Sequence, residues 1–298
     1  MSVRVFTHPA CLRHDPGPEH PERPARLSAL LETARRLPGV EVIEAAPAAR
    51  ELLLAVHPES HLARLEQIAA RGGGDLSLDT TMNRSTWDAV LGACGSVAEA
   101  IDFARSAEGH AFAAVRPPGH HALATQAMGF CFVGTAVIGA RYGQHQGLDR
   151  VLIIDWDVHH GNGTQALVEH DPSIRYVSLH QHPWYPGTGM AEERGVGNVF
   201  NVPRAAGMPA ERYVADLWHA VTAATEGWTP DLVLLSAGFD AMTGDPLGGF
   251  TLEPAHYADL TSRLRDRLPA VPIVALLEGG YRPSRLADGA AAVLRALG

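Results

Sequence analysis

The segment Asp155-Trp156-Asp157-Val158-His159 repeats its polar residues with a period of two, leaving Trp156 and Val158 on the other side. In extended backbone this alternation puts two carboxylates and an imidazole on one face. Groups so close together repel one another or go poorly solvated unless a cation compensates them, which points to a metal. Asp240 in SAGFDAMTGDP is the best candidate for a third ligand, and Asp245 is the alternative, although Gly244 and Pro246 read as turn residues. Asp157, His159 and Asp240 would then be the three protein ligands of a catalytic site that leaves one position for water. Such a set suits zinc and also accepts iron(II) or manganese. Taken alone, DxDxH favours a metal over a salt-bridged or solvated loop, and a third carboxylate at another strand end weakens the loop reading further.

His120 and His121 follow the stiff Pro117-Pro118-Gly119. One neutral imidazole can take a proton from water and return it to a leaving amine, while a protonated neighbour stabilises negative charge. With 16 histidines in the chain, a pair of this kind needs outside support, and His14, His20, His180 and His182 are read as structural. Tyr281 follows Gly279-Gly280, whose backbone freedom lets a phenol project inward and donate to a developing oxyanion. An amphipathic tyrosine on a rim is an equal reading of the same residue taken alone.

These residues need elements to position them. Short β-branched runs predict strands at Val3 to Phe6, Ala111 to Val115, Val151 to Ile154, Ile174 to Leu179, Leu232 to Leu235 and Ile273 to Leu277. Between them, helical periodicity predicts helices over 24–37, 59–70, 85–106, 133–143, 209–226, 254–267 and 284–297. Pro24 suits a first helical turn, and Ser85 is expected to cap the helix at 85, with Asp88 favouring its dipole. Alternation of this kind predicts an α/β fold with a mainly parallel sheet and helices on both faces, and such sheets bind ligands at the carboxyl ends of their strands. RPPGHH, DWDVHHGNG, SLHQH, SAGFD and EGGY each follow a predicted strand, so they read as one active-site rim.

The 298 residues are 46% hydrophobic and 19% charged, with no dividing linker, which favours a single domain over 1–298. A formal net charge of -9 argues against nonspecific nucleic-acid binding. Cys11, Cys94 and Cys131 are too scattered for a CxxC site or a disulfide framework, and no apolar run suits a membrane span or a signal peptide. A soluble, cytoplasmic protein is the expectation.

Together the segments resemble the histone deacetylase and acetylpolyamine amidohydrolase family. The likeness runs in order through HPERPARL, RPPGHHA, GFCF, DWDVHHGNGTQ, SLHQHPWYPGTG, SAGFDAMTGDPLGGF and LEGGY, with DWDVHHGNGTQ and SAGFD the most specific. It implies a three-layer arginase/deacetylase-like fold and a zinc-dependent deacetylase. Asp157, His159 and Asp240 would be the ligands, His120 and His121 the tandem histidines and Tyr281 the oxyanion donor. By the same resemblance Asp155 orients His120 and Asn162 partners His121, while Asn162 and the EGGY ending look like class II. Phe130 and Tyr185 match the aromatic walls of the substrate tunnel, the Gly129 carbonyl matches an acceptor for the substrate amide, and Phe132 reads as core. Ser178 and Leu179 match a structural potassium site, and Asp79 is a candidate for the acid that grips substrate backbone. One departure is Val133-Gly134, where the family usually has paired asparagines. The substrate would be an acylated amine: acetyl-lysine in proteins, an acetylpolyamine or another small N-acyl amine. A homo-oligomer would matter here, because a partner subunit can narrow the entrance. The competing readings are an arginase-like hydrolase with two manganese ions and a noncatalytic acyl-amine binding protein.

Overall fold

A computed structural model describes residues 2–106 and 109–298. The strands are β1 (Ser2–Thr7), β2 (Val40–Glu44), β3 (Gly73–Asp75), β4 (Thr81–Asn83), β5 (Gly109–Ala113), β6 (Val151–Asp155), β7 (Ile174–Gln181), β8 (Val199–Arg204), β9 (Leu232–Ala237) and β10 (Ile273–Leu277). The helices are α1 (Ala10–Arg13), α2 (Ala25–Arg36), α3 (Arg50–Leu54), α4 (Glu59–Ala70), α5 (Thr86–Arg105), α6 (Thr135–His145), α7 (Asn162–Val168), α8 (Ala210–Thr225), α9 (Pro254–Arg267) and α10 (Pro283–Leu297). Eight strands form one sheet in the order β2-β1-β5-β10-β9-β6-β7-β8, and every pairing in it is parallel. Helices α2, α10, α9 and α8 pack in one row, and α5, α6 and α7 in another, giving the three layers that the alternating pattern predicts.

The central strands read as unbroken apolar runs, VLII in β6, LVLL in β9 and IVALL in β10, because helices cover both of their faces and every one of these residues is buried. Strands β5, β10, β9, β6 and β7 are consecutive in the sheet. The five polar segments that follow them in sequence therefore emerge side by side. Across three of these strands Ser236, Asp155 and Ser178 are paired in register, which sets the depth from which the following loops depart.

The structure adds β2, β8 and the two-stranded ribbon of β3 and β4 to the predicted strands. Strands β2 and β8 are edge strands with partly exposed residues, so the apolar signal is diluted, and Pro203 in β8 suits only an edge, while β3 and β4 are three residues each. The short helices α1, α3 and α7 also escape periodicity, which needs more turns to register. Ser85 makes no side-chain cap hydrogen bond and has helical backbone angles. Asn83 does the local work instead, its Oδ1 accepting from the Ser85 N–H at 3.1 Å and from the Thr86 hydroxyl at 3.0 Å. Among the described residues, no helix is long and apolar enough to cross a membrane.

Candidate active site

Strand β6 stops at Asp155, and the chain bends from Trp156 to His160 rather than continuing extended as the period-two pattern suggests. The bend still brings Asp157 and His159 together. Asp157 Oδ1 accepts from the His159 N–H and from its Nδ1, each at 2.9 Å. From the end of β9, Asp240 Oδ1 accepts from the Val158 N–H at 2.8 Å, and from the end of β10 the Gly279 N–H donates to Asp157 Oδ2 at 2.8 Å. Asp157, His159 and Asp240 are all buried, with ligand atoms within 4.8 Å of one another.

These residues fit a divalent cation. Asp240 Oδ2 is buried without a hydrogen-bond partner, 3.3 Å from His159 Nδ1. A Cβ on Gly279 would lie 2.0 Å from Asp240 Oδ2 and 2.5 Å from Asp157 Oδ2, so only glycine leaves the space between the carboxylates open. Burial would lower the His159 pKa, but its hydrogen bond to Asp157 and the nearby Asp240 carboxylate push it up to about 10. Burial and the Asp157 charge raise Asp240 to about 7. Burial would raise Asp157, but His120 and His159 hold its carboxyl far below the usual range, so an ionised carboxylate lies beside two groups that retain protons. A divalent cation would take the place of those protons, and two carboxylates with an imidazole suit zinc, iron(II) or manganese.

The tandem histidines have opposite electrostatics. His120 Nδ1 donates to Asp155 Oδ2 at 3.1 Å, and that carboxylate also accepts from the Tyr176 hydroxyl at 2.9 Å. Burial opposes charge on His120, yet Asp157 and Asp155 hold its pKa well above the usual imidazole value. His121 Nδ1 donates to Asn162 Oδ1 at 2.8 Å, where a neutral amide offers no countercharge. Burial and the neighbouring His120 and His159 hold His121 well below the usual value. The two ring centroids lie 4.0 Å apart, with the charged form favoured on His120 and the neutral form on His121.

Tyr281 lines the same cavity of about 210 Å³ as His121 and His159. Gly280 at φ 112° turns the chain into it. The Arg26 guanidinium lies 4.9 Å from the centre of the Tyr281 ring, and the Phe130 ring meets it edge-on at 5.8 Å. Burial raises the Tyr281 pKa well above 10, which keeps the phenol a donor. Gly129, Phe130, Tyr185, Trp184, Leu247 and Asp79 form the rest of the wall. Phe132 lies buried in the core, as expected.

Asp245 takes a different place from the one considered as an alternative to Asp240. Its Oδ2 accepts from the Tyr281 N–H at 2.7 Å and its Oδ1 from the Leu247 N–H at 2.9 Å, so it anchors two residues of the cavity wall. His14 and His180 are buried and hydrogen-bonded to neighbouring structure. His20 lies nearer the cavity, its ring 4.7 Å from that of Phe130. Ser178 Oγ bonds to His180 Nδ1 at 2.9 Å, and the Tyr213 hydroxyl reaches the carbonyls of Trp156 at 3.2 Å and Leu179 at 3.4 Å.

Some supporting residues sit in LEGGY, HPERPARL and RPPGHHA, but residue type and spacing alone give them no role there. Glu278 Oε2 accepts the Gly119 N–H at 2.7 Å and the His120 N–H at 3.2 Å, fixing the backbone of the histidine pair. Glu22, Arg26 and Arg116 form a fully buried ion cluster. From it Arg26 donates to the carbonyls of Gly280 and Glu278, each at 2.5 Å. A clue was available, since Arg26 stands four residues before Leu30 on the apolar face of α2.

With this geometry in view, comparison with known proteins is direct. Residues 18–297 match the histone deacetylase domain. An uncharacterized protein from Synechocystis, slr0245, is 40% identical over 99% of both chains. A histone deacetylase-like amidohydrolase from Pseudomonas aeruginosa is 35% identical, covering 88% of this chain and 72% of its own. The crystal structure of the HDA15 HD domain superposes with a TM-score of 0.94 at 36% identity, covering 99% of this chain and 90% of that one. The chain belongs to the histone deacetylase family of metal-dependent hydrolases.

Proposed function

We propose that the protein is a zinc-dependent amidohydrolase that removes an acetyl or other acyl group from an amine, with acyl-lysine or an acetylpolyamine as substrate. The observation that carries this reading is the convergence on one cavity of His121, His159 and Tyr281, with the carboxylates of Asp157 and Asp240 beneath them. Asp157, His159 and Asp240 would hold the metal, with iron(II) or manganese as its alternatives. When bound, a divalent ion supplies Lewis-acid activation of the acyl carbonyl and of water.

The chain's own residues do the remaining work. Phe130 and Tyr185 flank the stem of the acylated amine, and the Gly129 carbonyl accepts its amide N–H. His121 takes the proton of the attacking water through the nitrogen that Asn162 leaves free, and later gives it to the departing amine. His120, oriented by Asp155, contributes positive charge, and the Tyr281 hydroxyl donates to the tetrahedral oxyanion. Asp79 stands on the cavity wall with Ser77 and Thr80 bonded to its Oδ1, a placement that suits an acid holding substrate backbone. Ser178, Leu179 and the backbone of the DWD segment would hold a structural potassium ion. We take 1–298 as one catalytic domain, cytoplasmic, with neither nucleic acid nor membrane as a partner, and a homo-oligomer remains compatible with this reading.

A two-manganese arginase-like site fits less well. Among the described residues the other group of ligand-type side chains is His120, Cys131 and Glu278, and Glu278 already accepts two backbone N–H groups. The deciding experiment assays the zinc-loaded protein on an acetyl-lysine peptide and an acetylpolyamine side by side, with and without chelator. Chelator-sensitive turnover supports the hydrolase, and preference between the two names the substrate class. Inactivity on both would favour another N-acyl amine or the noncatalytic reading.

A further inference from the structure

The segment 122–134 carries part of the cavity wall in an unusual backbone. Gly129 and Phe130 have φ of 55° and 67°, and Met128 and Cys131 exchange backbone hydrogen bonds across them at 3.1 and 3.0 Å. This is a tight turn with left-handed residues at both central positions, one of them a bulky phenylalanine that disfavours such a backbone. It persists only where surrounding structure over-determines it. It also touches the catalytic histidine, since a Cβ on Gly129 would lie 2.4 Å from His121 Cδ2.

The base of this turn is held by two buried histidines. His57, just before α4, donates from Nδ1 to the Ala124 carbonyl at 3.0 Å and accepts at Nε2 from the Gly134 N–H at 2.9 Å. His61, one turn on, donates from Nε2 to the Phe132 carbonyl at 2.8 Å. One neutral imidazole thus ties the two ends of the wall segment together, using one nitrogen as donor and the other as acceptor.

Resting on the proposed hydrolase reading, we propose that His57 is a positioning residue for it: its imidazole bridges Ala124 and Gly134 and so sets the wall formed by Gly129 and Phe130. The test uses the full-length zinc-loaded protein and three variants. His57→Leu removes both bonds. His57→Asn keeps a donor near the Nδ1 position, and His57→Gln keeps an acceptor near the Nε2 position. Residue-resolved hydrogen exchange at Gly134 is expected to be about tenfold faster in His57→Leu and His57→Asn but near wild type in His57→Gln. KM for an acetyl-lysine peptide is expected to rise about tenfold in His57→Leu with kcat changed by less than about threefold, and to follow the exchange order in the other two. Equal Gly134 exchange in His57→Asn and His57→Gln would overturn the proposal, and that comparison stands even if His57→Leu does not fold. A KM that ignores the exchange order would overturn it as well. If the wild type hydrolysed no acyl amine, the function reading would fail, while the exchange arm would still decide whether His57 holds the wall.

Discussion

Replacing Tyr281 by Phe deletes one oxygen and leaves the ring. The contacts that hold the ring do not use the hydroxyl: Phe130 packs at 5.8 Å, the Arg26 guanidinium sits at 4.9 Å, and Asp245 accepts from the Tyr281 N–H at 2.7 Å. Stability is therefore expected to change by about 1 kcal/mol or less. An oxyanion donor removed from a preorganised site costs roughly 2.7–4 kcal/mol in the transition state. At about 1.36 kcal/mol per decade, kcat for an acetyl-lysine peptide should fall by roughly two to three orders of magnitude. KM should move little, because the donor acts on charge that develops only during reaction. The assay is steady-state kinetics alongside a melting temperature and bound-metal content. A variant with wild-type kcat refutes the assigned role, and one that lost metal or unfolded would show that the hydroxyl supports structure instead.

Asp240→Ala is expected to deplete bound metal, whereas Asp245→Ala should keep the metal and lose activity through a displaced Tyr281; elemental analysis of both variants separates the roles, and the reverse pattern would exchange them. Gly279→Ala removes no ligand, but its Cβ would stand 2.0 Å from Asp240 Oδ2, so metal affinity should fall by about 10–100-fold, and an unchanged affinity measured by competition with a chelator would remove Gly279 from the site's support. Glu22→Gln should destabilise the fold by about 3–5 kcal/mol in denaturant titration, since Arg26 and Arg116 would remain buried and undercompensated. Although burial alone would raise the Glu22 pKa, Arg116, His14 and Arg26 hold it well below 4.5. The stability it contributes is thus fully present above the unfolded carboxyl value of about 4.3 and is lost as pH falls through the depressed folded value. A wild-type stability curve without that acid loss, or one equal to that of Glu22→Gln, would contradict the assignment.

Much of this architecture is legible in the linear chain. VLII, LVLL and IVALL announce buried parallel strands because a strand covered on both faces needs apolar residues at every position. The chemistry-bearing residues are legible too, since Asp, His, Gly and Tyr at strand ends stand out against the apolar runs before them. What pattern reading misses is either exposed or short: β2 and β8 dilute the apolar signal at the sheet edges, and α7 is too brief for periodicity.

Other features were decided only by tertiary structure. Strands β5, β10, β9, β6 and β7 are neighbours in space although not in chain order, and that adjacency makes one site of five separate loops. Whether Asp240 or Asp245 stands beside His159 depended on how the loop after β9 turns, and the Tyr281 N–H claims Asp245. The opposite electrostatics of His120 and His121 follow from what the fold places around two buried rings: the Asp157 and Asp155 carboxylates hold His120 up, while the neighbouring His120 and His159 hold His121 down. Residue type and spacing are local and survive in the sequence; burial, charge environment and hydrogen-bond partner are set by segments that meet only when the chain folds.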